Sequence, residues 1–557
     1  MGKEQKNSRV NLCILSFIII LVAYSPHLQS EMQLGHDDWF HFHRILSVAS
    51  GLRQGIFPTK IHHLAGFGYG YGVGFFYSDF FLYIPALLMN LFNLPLDIAY
   101  RIFAFIIYAG IYASMFYCLQ QLTGTKEYAF WGASVYLFSN KVLEAFYNTV
   151  GLGQMCAFVF FPMAIIGMYL FLKKDKKPIL LMFGFIGLIY SHTISTFMAF
   201  VICCILVILN LKILLGDIGK MLNLFISVGV TAMVTASFWL PMLEQMKAQL
   251  LKVKAPWTAS VENVLKFKDI VMEQGGLGYV VVFFLCFNAI MCVKTWIEKR
   301  KAEYQLTFVA MFIVILTMFK PFWYFMNEVL NIRFLQFPAR FLAPVTVVII
   351  ADTAMRFREM NIEKLKVKFI PHIVLLSTFI LSLGVFLGSY TWVSNEHINK
   401  AINNEIEAFG SGEEWLPIET DREEILDADL VFDNEGNKIT GEKKKEYTRY
   451  VFTADLSKEY YDIPYIWYKG YGAVDADGNS YEISQNRTTG MVQVLMPEEK
   501  DGIATIEVYY KGTKYQKLAY FSSCVGVVSL IVYLIILKRD KDILSLVVRK
   551  IRNRNKE

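Results

Sequence analysis

Phe80-Phe81-Leu82-Tyr83-Ile84-Pro85-Ala86-Leu87-Leu88-Met89-Asn90-Leu91-Phe92 decides how this chain is threaded. Counted as a membrane span, the run inverts the side of everything after it. It covers only residues 80–92 and carries Pro85 inside it, whereas a span needs roughly 20 apolar residues. The run therefore predicts a helix lying along a membrane surface. Charge bias points the same way. If the run does not cross, the clusters Lys173-Lys174-Asp175-Lys176-Lys177, Lys299-Arg300-Lys301, Arg356 to Lys368 and the basic tail from Lys538 all share the cytoplasmic side with the N-terminus. If it crosses, all of them fall outside, against the positive-inside rule.

Composition requires lipid as solvent. The 557 residues are 55% hydrophobic, 15% aromatic and 18% charged, with a mean hydropathy of +0.40, which excludes an ordinary soluble multi-domain protein. The net charge of +6 sits in short clusters between apolar runs, as membrane topology demands, so no nucleic-acid partner is indicated. All eight cysteines (Cys13, Cys118, Cys156, Cys203, Cys204, Cys286, Cys292, Cys524) lie in apolar runs, which argues against disulfides and a cysteine-ligated metal. Leu12 to Ala23 follows Lys3, Lys6 and Arg9 without a small-residue cleavage site, so it reads as a retained signal anchor with a cytoplasmic N-terminus.

Spans are expected near 11–29, 99–121, 127–141, 154–172, 178–190, 193–211, 221–241, 276–294, 304–320, 341–355, 369–391 and 518–537, about twelve in all. Both termini are then cytoplasmic, and residues 30–98, the loops near 142–153, 191–192, 242–275 and 321–340, and the segment 392–517 face outward together. Three units follow: a membrane module over 1–391, an external domain over 392–517, and a last helix with a basic tail over 518–557. Within the external domain, residues 395–430 are acidic with helical spacing. Residues 447–513 alternate as strands (Tyr450-Val451-Phe452, Ile466-Trp467-Tyr468, Met491 to Leu495, Ile506 to Tyr510) around turns such as Asp477-Gly478-Asn479, which predicts a small β-sandwich. No repeat of 20 to 50 residues is visible.

The chemistry concentrates after the first span. Gly35-His36-Asp37-Asp38-Trp39-Phe40-His41-Phe42-His43-Arg44 leads into apolar positions Trp39, Phe42, Leu46, Ala49 and Leu52, the pattern of an interfacial amphipathic helix with Asp37 or Asp38 near its N-cap. An Asp at a helix start is often only a cap. Two carboxylates, three histidines and an arginine together can also supply a general base for an incoming hydroxyl, or ligands for a divalent metal, for which Asp37, Asp38 and His41 are weak candidates. His41 and His43 diverge on a helix, which is poor metal spacing, and His62-His63 reads as plain surface. Downstream, Gly66-Phe67-Gly68-Tyr69-Gly70-Tyr71-Gly72-Val73-Gly74 lacks the lysine of a phosphate-binding loop. Its glycines and aromatics suit packing against a sugar or lipid, or simply a loop folded on the membrane.

GHDDWFHFHRI, then Gly55 to Pro58 (GIFP), GYGYG and FFYSDFFLYIPALL resemble the bacterial membrane proteins labelled 6-pyruvoyl-tetrahydropterin synthase-related and the YfhO-like family near them. The resemblance extends to Tyr190-Ser191-His192-Thr193, to Leu335-Gln336-Phe337-Pro338-Ala339-Arg340-Phe341 and to Glu414-Trp415-Leu416-Pro417, so it spans most of the chain. It departs where Ala339 replaces a frequent Trp, where Trp415 replaces a frequent Tyr, and where Asp38 sits beside Asp37, which leaves the identity of the base open between neighbours.

These families resemble GT-C glycosyltransferases. The resemblance implies a GT-C-like polytopic α-helical fold in a bacterial plasma membrane, with juxtamembrane helices and a catalytic acid in the first external loop. It also implies a polyprenyl-phosphate sugar donor and a cell-envelope glycan or glycolipid acceptor. Asp37 or Asp38 would take the acceptor proton. An arginine would stabilise the leaving lipid phosphate, with Arg340 favoured over Arg44, Arg101 and Arg333. Arg101 at a span entrance reads equally as an interfacial anchor, and His192 as a structural histidine. His36, His41, His192, Tyr77 and Gln336 complete the candidate substrate site, and Lys252 and Lys254 run against the positive-inside bias. A transporter or lipid flippase is the competing expectation, which should place ionisable residues inside the spans. Span interiors here are nearly free of them. A receptor or scaffold would leave the Asp37 cluster unexplained.

Overall fold

The computed structural model describes residues 3–29, 32–33, 35–174, 177–254, 258–272, 275–299, 303–360, 392–393, 408–410, 413–422, 430–498 and 501–539. Among them, five helices are long and apolar enough to cross a membrane: Leu96–Thr123, Leu152–Lys173, Tyr279–Ile297, Pro338–Met360 and Lys514–Lys538. Two helix pairs, Ile218–Val234 with Ala236–Ala248 and Gln305–Met318 with Lys320–Val329, bend by 70° and 71° and raise the number to seven if each is one span. The described residues thus account for five to seven of the about twelve spans expected. The run expected to span 127–141 breaks at Phe138-Ser139 into the helices Lys126–Leu137 and Asn140–Tyr147. The 12 residues of the first reach only about 18 Å. Ile179–Ser191 and Thr193–Leu209 are separate short helices because His192 between them is extended. The expected span at 369–391 and most of the acidic segment 395–430 lie outside the described residues.

Local signals account for the long elements. The helix Leu96–Thr123 follows Pro95, carries Asp97 in its first turn, and stops at Gly124 with φ of 77°, a left-handed stop that glycine adopts without strain. Side by side, Leu152–Lys173 and Ile179–Ser191 approach closely because Gly184 lies against the Ala164 backbone, leaving no room for a Cβ, the small-residue contact by which helices associate in lipid.

Phe80–Phe92 forms a short 3-10 turn, Phe80–Leu82, and the helix Tyr83–Phe92. Ten helical residues reach about 15 Å, half a bilayer core. This helix packs on Asp38–Arg53 and on Leu96–Thr123. Asn90 Nδ2 donates to the Ala49 carbonyl at 2.9 Å, while Leu87, Leu91 and Phe92 stay exposed.

Among the described residues, one buried ion pair sits within a candidate span. Asp352 and Arg356, one turn apart in Leu342–Met360, meet at 3.2 Å and are almost wholly buried. Arg356 also donates to Thr307 Oγ1 at 2.9 Å and to the Glu303 carbonyl at 3.2 Å, and Thr307 donates to Asp352. The span interiors are therefore less free of charge than the sequence predicts.

The strands from Leu430 on close into a barrel; the expected sandwich is corrected. Its strands are β1 (Leu430–Asp433), β2 (Lys438–Lys444), β3 (Arg449–Asp455), β4 (Tyr460–Ile466), β5 (Tyr471–Asp475), β6 (Ser480–Gln485), β7 (Met491–Leu495) and β8 (Ile503–Tyr510). The antiparallel order is β8-β3-β2-β1-β4-β7-β6-β5, and β8 closes the ring by pairing with both β3 and β5. Closure removes the open edges a sandwich would leave. Tyr450, Tyr461, Tyr465, Val492, Val494, Ile506 and Val508 fill the interior. Two hairpins share one turn chemistry, in which the Asp433 and Asp475 carboxylates accept from the Asn437 and Asn479 amides at 2.8 Å.

Candidate functional site

The first loop is seated on both halves of the molecule. The Gly/aromatic stretch docks the barrel: the Ile466 amide donates to the Tyr69 carbonyl at 2.9 Å, and Lys443 Nζ donates to the Phe67 carbonyl at 2.7 Å. Gly68, with φ of +84°, lies where a Cβ would strike the Tyr447 ring, and a Cβ on Gly72 would strike Tyr468. The barrel covers these faces. Asp38–Arg53 is likewise covered on most sides, with His41, Phe42, His43 and Arg44 all buried, so it is not the half-solvated interfacial helix its periodicity predicts.

Asp37 and Asp38 take different roles in this setting. The His36 and Asp37 amides donate to the Asn148 and Thr149 carbonyls at 2.9 Å. That receiving segment runs off the helix Asn140–Tyr147 and includes Val150 at φ of 51°, strained for a β-branched residue. Asp37 occupies the N-cap position without making a side-chain cap, and its carboxylate is open to solvent. Asp38 is wholly buried. Its oxygens accept from the Gly35 amide at 3.0 Å and the Trp39 amide at 2.7 Å, and burial pushes it up to about 6. Protein crowded around the exposed Asp37 side chain strips part of its water and raises it too, against the opposing charges of Arg340 and His36.

Arg340 is the cation facing Asp37. It donates to the Leu335 carbonyl at 3.1 Å and to Gln336 Oε1 at 3.4 Å, and lies over the Phe337 ring at 5.0 Å. Among the described residues no carboxylate comes within ion-pair distance of it, although Asp37, Glu414 and Glu144 all act on its charge. Gln336, at φ of 51°, is the strained residue that orients it. His192 caps the helix Thr193–Leu209 through Ser195, with Nδ1 at 2.8 Å from Ser195 Oγ. Burial and the nearby Arg340 and Arg44 charges lower it to about 3, so it is neutral.

The other arginines are engaged elsewhere. Arg44 is buried and bonds Asp79 Oδ1 at 2.7 Å, the Tyr77 and Ser78 carbonyls at 3.1 and 3.0 Å, and His41 Nδ1 at 3.1 Å, with its guanidinium 4.0 Å above the Tyr77 ring. Each of its three nitrogens is bonded to protein. Arg101 donates to the His27 and Gln29 carbonyls, which makes it the anchor of the first helix's end, and Arg333 pairs with Glu328 at 3.5 Å on the surface. None of these three is placed as a phosphate contact. Because Arg44 occupies His41 Nδ1, that histidine is a buried support, and among the described residues no three metal-ligating side chains converge.

Two groups escape sequence reasoning. Asp79, buried, also meets His62 Nε2 at 2.8 Å; burial raises it, but His62 and Arg44 together hold it below the ordinary carboxylate range. Glu414, from the segment before the barrel, reaches the same recess as Asp37 and Arg340. Tyr77 fits its hydroxyl against Gly153, where no Cβ intervenes, with its ring 5.4 Å from that of His192. Beside His192 opens a cavity of about 760 Å³, lined by apolar side chains such as Met168, Phe185, Phe200 and Trp239 and reaching Thr193 and Thr196.

No family model matches this chain. It is 25% identical over 336 residues, 55% of its own length, to an uncharacterized protein of Lactococcus lactis subsp. cremoris (strain MG1363). The match takes in 53% of that relative, so the chain spans about half the length of the curated protein it resembles.

Proposed function

We propose that this chain is a membrane glycosyltransferase of GT-C type, with about twelve spans, cytoplasmic termini and an external barrel in a bacterial plasma membrane. It moves a sugar from a polyprenyl-phosphate donor to a cell-envelope polymer or lipid, such as a teichoic-acid-like acceptor, at the outer face. The observation that carries this reading is the exposed Asp37 facing Arg340, a half-buried guanidinium that has no carboxylate within ion-pair distance among the described residues. The apolar cavity beginning beside His192 supports a donor with a lipid tail.

Asp37 accepts the acceptor's hydroxyl proton as that oxygen bonds to the anomeric carbon. The bond from that carbon to the phosphate oxygen breaks with its electron pair, the lipid phosphate leaves against Arg340, and the proton passes later to water. Configuration inverts. Asp38 is the weaker base because both its oxygens already accept backbone amides, and geometry outranks pKa.

The test is transfer of radiolabelled glucose, N-acetylglucosamine or galactose from undecaprenyl phosphate to delipidated envelope by membranes carrying the chain. Arg340→Gln is expected to lower the rate by about 10²-fold and to move the acid limb of the pH profile upward. The sign follows from charge: Arg340 favours ionised Asp37, so its removal raises the Asp37 pKa further. No transfer from any of the three donors, or an unaltered Arg340→Gln profile, would count against the reading.

The Asp352–Arg356 pair is the one observation favouring transport. Its partners are all protein groups, as in a structural pair. Asp352→Asn is expected to cost about 1–3 kcal/mol of stability and leave sugar transfer per folded molecule unchanged; loss of transfer at normal protein levels would reopen the transport reading.

A further inference from the structure

The two bent helix pairs are built alike. Each breaks inside apolar sequence, at Thr235 and at Phe319, and a helix that ends in apolar surroundings leaves carbonyls that water cannot satisfy. In both, a tryptophan four residues past the break reaches back. Trp239 Nε1 donates to the Ala232 carbonyl at 2.9 Å, and Trp323 Nε1 donates to the Leu316 carbonyl at 2.8 Å. A threonine takes a second carbonyl: Thr235 Oγ1 donates to Thr231 at 2.8 Å, and Thr317 Oγ1 to Val314 at 2.7 Å. The Phe238 and Phe322 amides then close the next turn onto the Thr235 and Phe319 carbonyls at 3.0 and 3.1 Å.

The likeness extends beyond the bend. Placing Trp239 on Trp323, 84 positions later, also matches Phe238 with Phe322, Met242 with Met326 and Glu244 with Glu328. The same shift carries Thr193–Leu209 onto 277–293, where Tyr279–Ile297 stands, and Ile218–Val234 onto 302–318, where Gln305–Met318 stands. One two-helix unit thus occurs twice in the same chain order, and matched interrupted helices of this kind flank binding sites in membrane proteins.

The copies hold different parts of the molecule. In the first, Gln245 Nε2 donates to the Lys469 carbonyl at 2.7 Å and Gln245 Oε1 accepts from the Lys469 amide at 3.0 Å, at the entrance to β5 of the barrel. The second holds the loop that leads to Arg340. The Ile332 amide donates to the Met326 carbonyl at 2.8 Å, and the Leu265 amide to the Thr317 carbonyl at 3.2 Å. Asn263, two residues before Leu265, donates from Nδ2 to the Gln336 carbonyl at 3.0 Å. The buried Trp323 ring lies 6.2 Å from that of Phe341, the neighbour of Arg340. Gln336 sits at φ of 51°, a strained conformation that persists only where the surroundings hold it.

We propose that Trp323 is a positioning residue: its indole N–H fixes the bend from which the 330–341 loop hangs, and so sets Arg340 against the leaving phosphate. This rests on the transferase reading. Trp239, the same device in the other copy, has no such link to Arg340 and serves as the internal control.

Sugar transfer is measured per folded molecule in membranes carrying the full chain, with the labelled undecaprenyl-phosphate sugar that the intact protein consumes. Trp323→Phe keeps a ring and removes the N–H. It is expected to lower the rate at saturating donor about tenfold, with the donor and acceptor concentrations for half-maximal rate within about twofold. In an Arg340→Gln background the same change is expected to move the rate by less than about twofold, because the group it positions is gone. Trp239→Phe is expected to melt below the intact chain with its rate at saturating donor within about twofold. Asn263→Ala, which frees the Gln336 carbonyl and leaves the bend intact, is expected to act in the same two backgrounds as Trp323→Phe does, and it decides the matter where Trp323→Phe folds poorly. An equal fall in both backgrounds, no fall in the intact one, or an equal fall from Trp239→Phe overturns the proposal alone. If Asp37→Asn transfers sugar as fast as the intact chain, the transferase reading fails and takes this proposal with it.

Discussion

Asp37→Asn is expected to stop sugar transfer, by about 10²–10⁴-fold, with the protein still folded; Asp38→Asn is expected to do the reverse. The two side chains are neighbours in sequence but not in environment. Asp37 makes no cap bond and faces solvent, so an amide in its place disturbs no internal contact and removes only the base. Asp38 takes two backbone amides onto its two oxygens at full burial. An asparagine there offers one oxygen and one NH2, which sets a donor against a donor and costs about 1–3 kcal/mol. The measurement pairs transfer rate per milligram of folded protein with melting temperature in detergent. If Asp38→Asn melts normally and is inactive while Asp37→Asn is active, the base is Asp38 and the assignment is reversed.

That distinction was out of reach of the sequence, which presents Asp37-Asp38 as equivalent. What places them is the pairing of residues 36–37 with 148–149, over a hundred positions away. The short run Phe80–Phe92 was legible because length and proline are local properties. The breaks within apolar runs were not, because a hydropathy window passes over those at Phe138-Ser139 and at Thr235, where the cause is backbone geometry within apolar sequence. Strand alternation announced the barrel's elements, but a barrel and a sandwich differ only in whether β8 also pairs with β5. Arg340 could be favoured early because a Phe-Pro break at a span entrance is visible in sequence. Arg44 could not be set aside, since its partner Asp79 lies 35 residues on, inside an aromatic run, with nothing local to mark it as buried.

Arg44→Ala is expected to destabilise the molecule by about 3–5 kcal/mol, the cost of stranding a buried carboxylate. Removing the guanidinium strips Asp79 of its 2.7 Å partner, frees the Tyr77 and Ser78 carbonyls, and takes the cation from above the Tyr77 ring. His62, at 2.8 Å, remains as a partial counter-ion. The pH dependence gives a second signature. In the intact protein Asp79 titrates below its unfolded value of about 3.9, so the stability it contributes is present above that pH and lost as pH falls through the lower folded value. In Arg44→Ala burial is opposed by less positive charge and the Asp79 pKa rises. If it passes the unfolded value, this group's contribution changes sign and stability falls as pH rises through the new folded value. Replacing both partners by apolar residues, Arg44→Met with Asp79→Leu, removes the stranded charge and is expected to cost less than the sum of Arg44→Met and Asp79→Leu measured singly. Apparent melting temperatures at one scan rate, taken from pH 4 to 8, decide this. An Arg44→Ala protein that melts within a degree of the intact chain would mean that the buried pair is not what holds Tyr77 and the 77–79 turn beside Asp37.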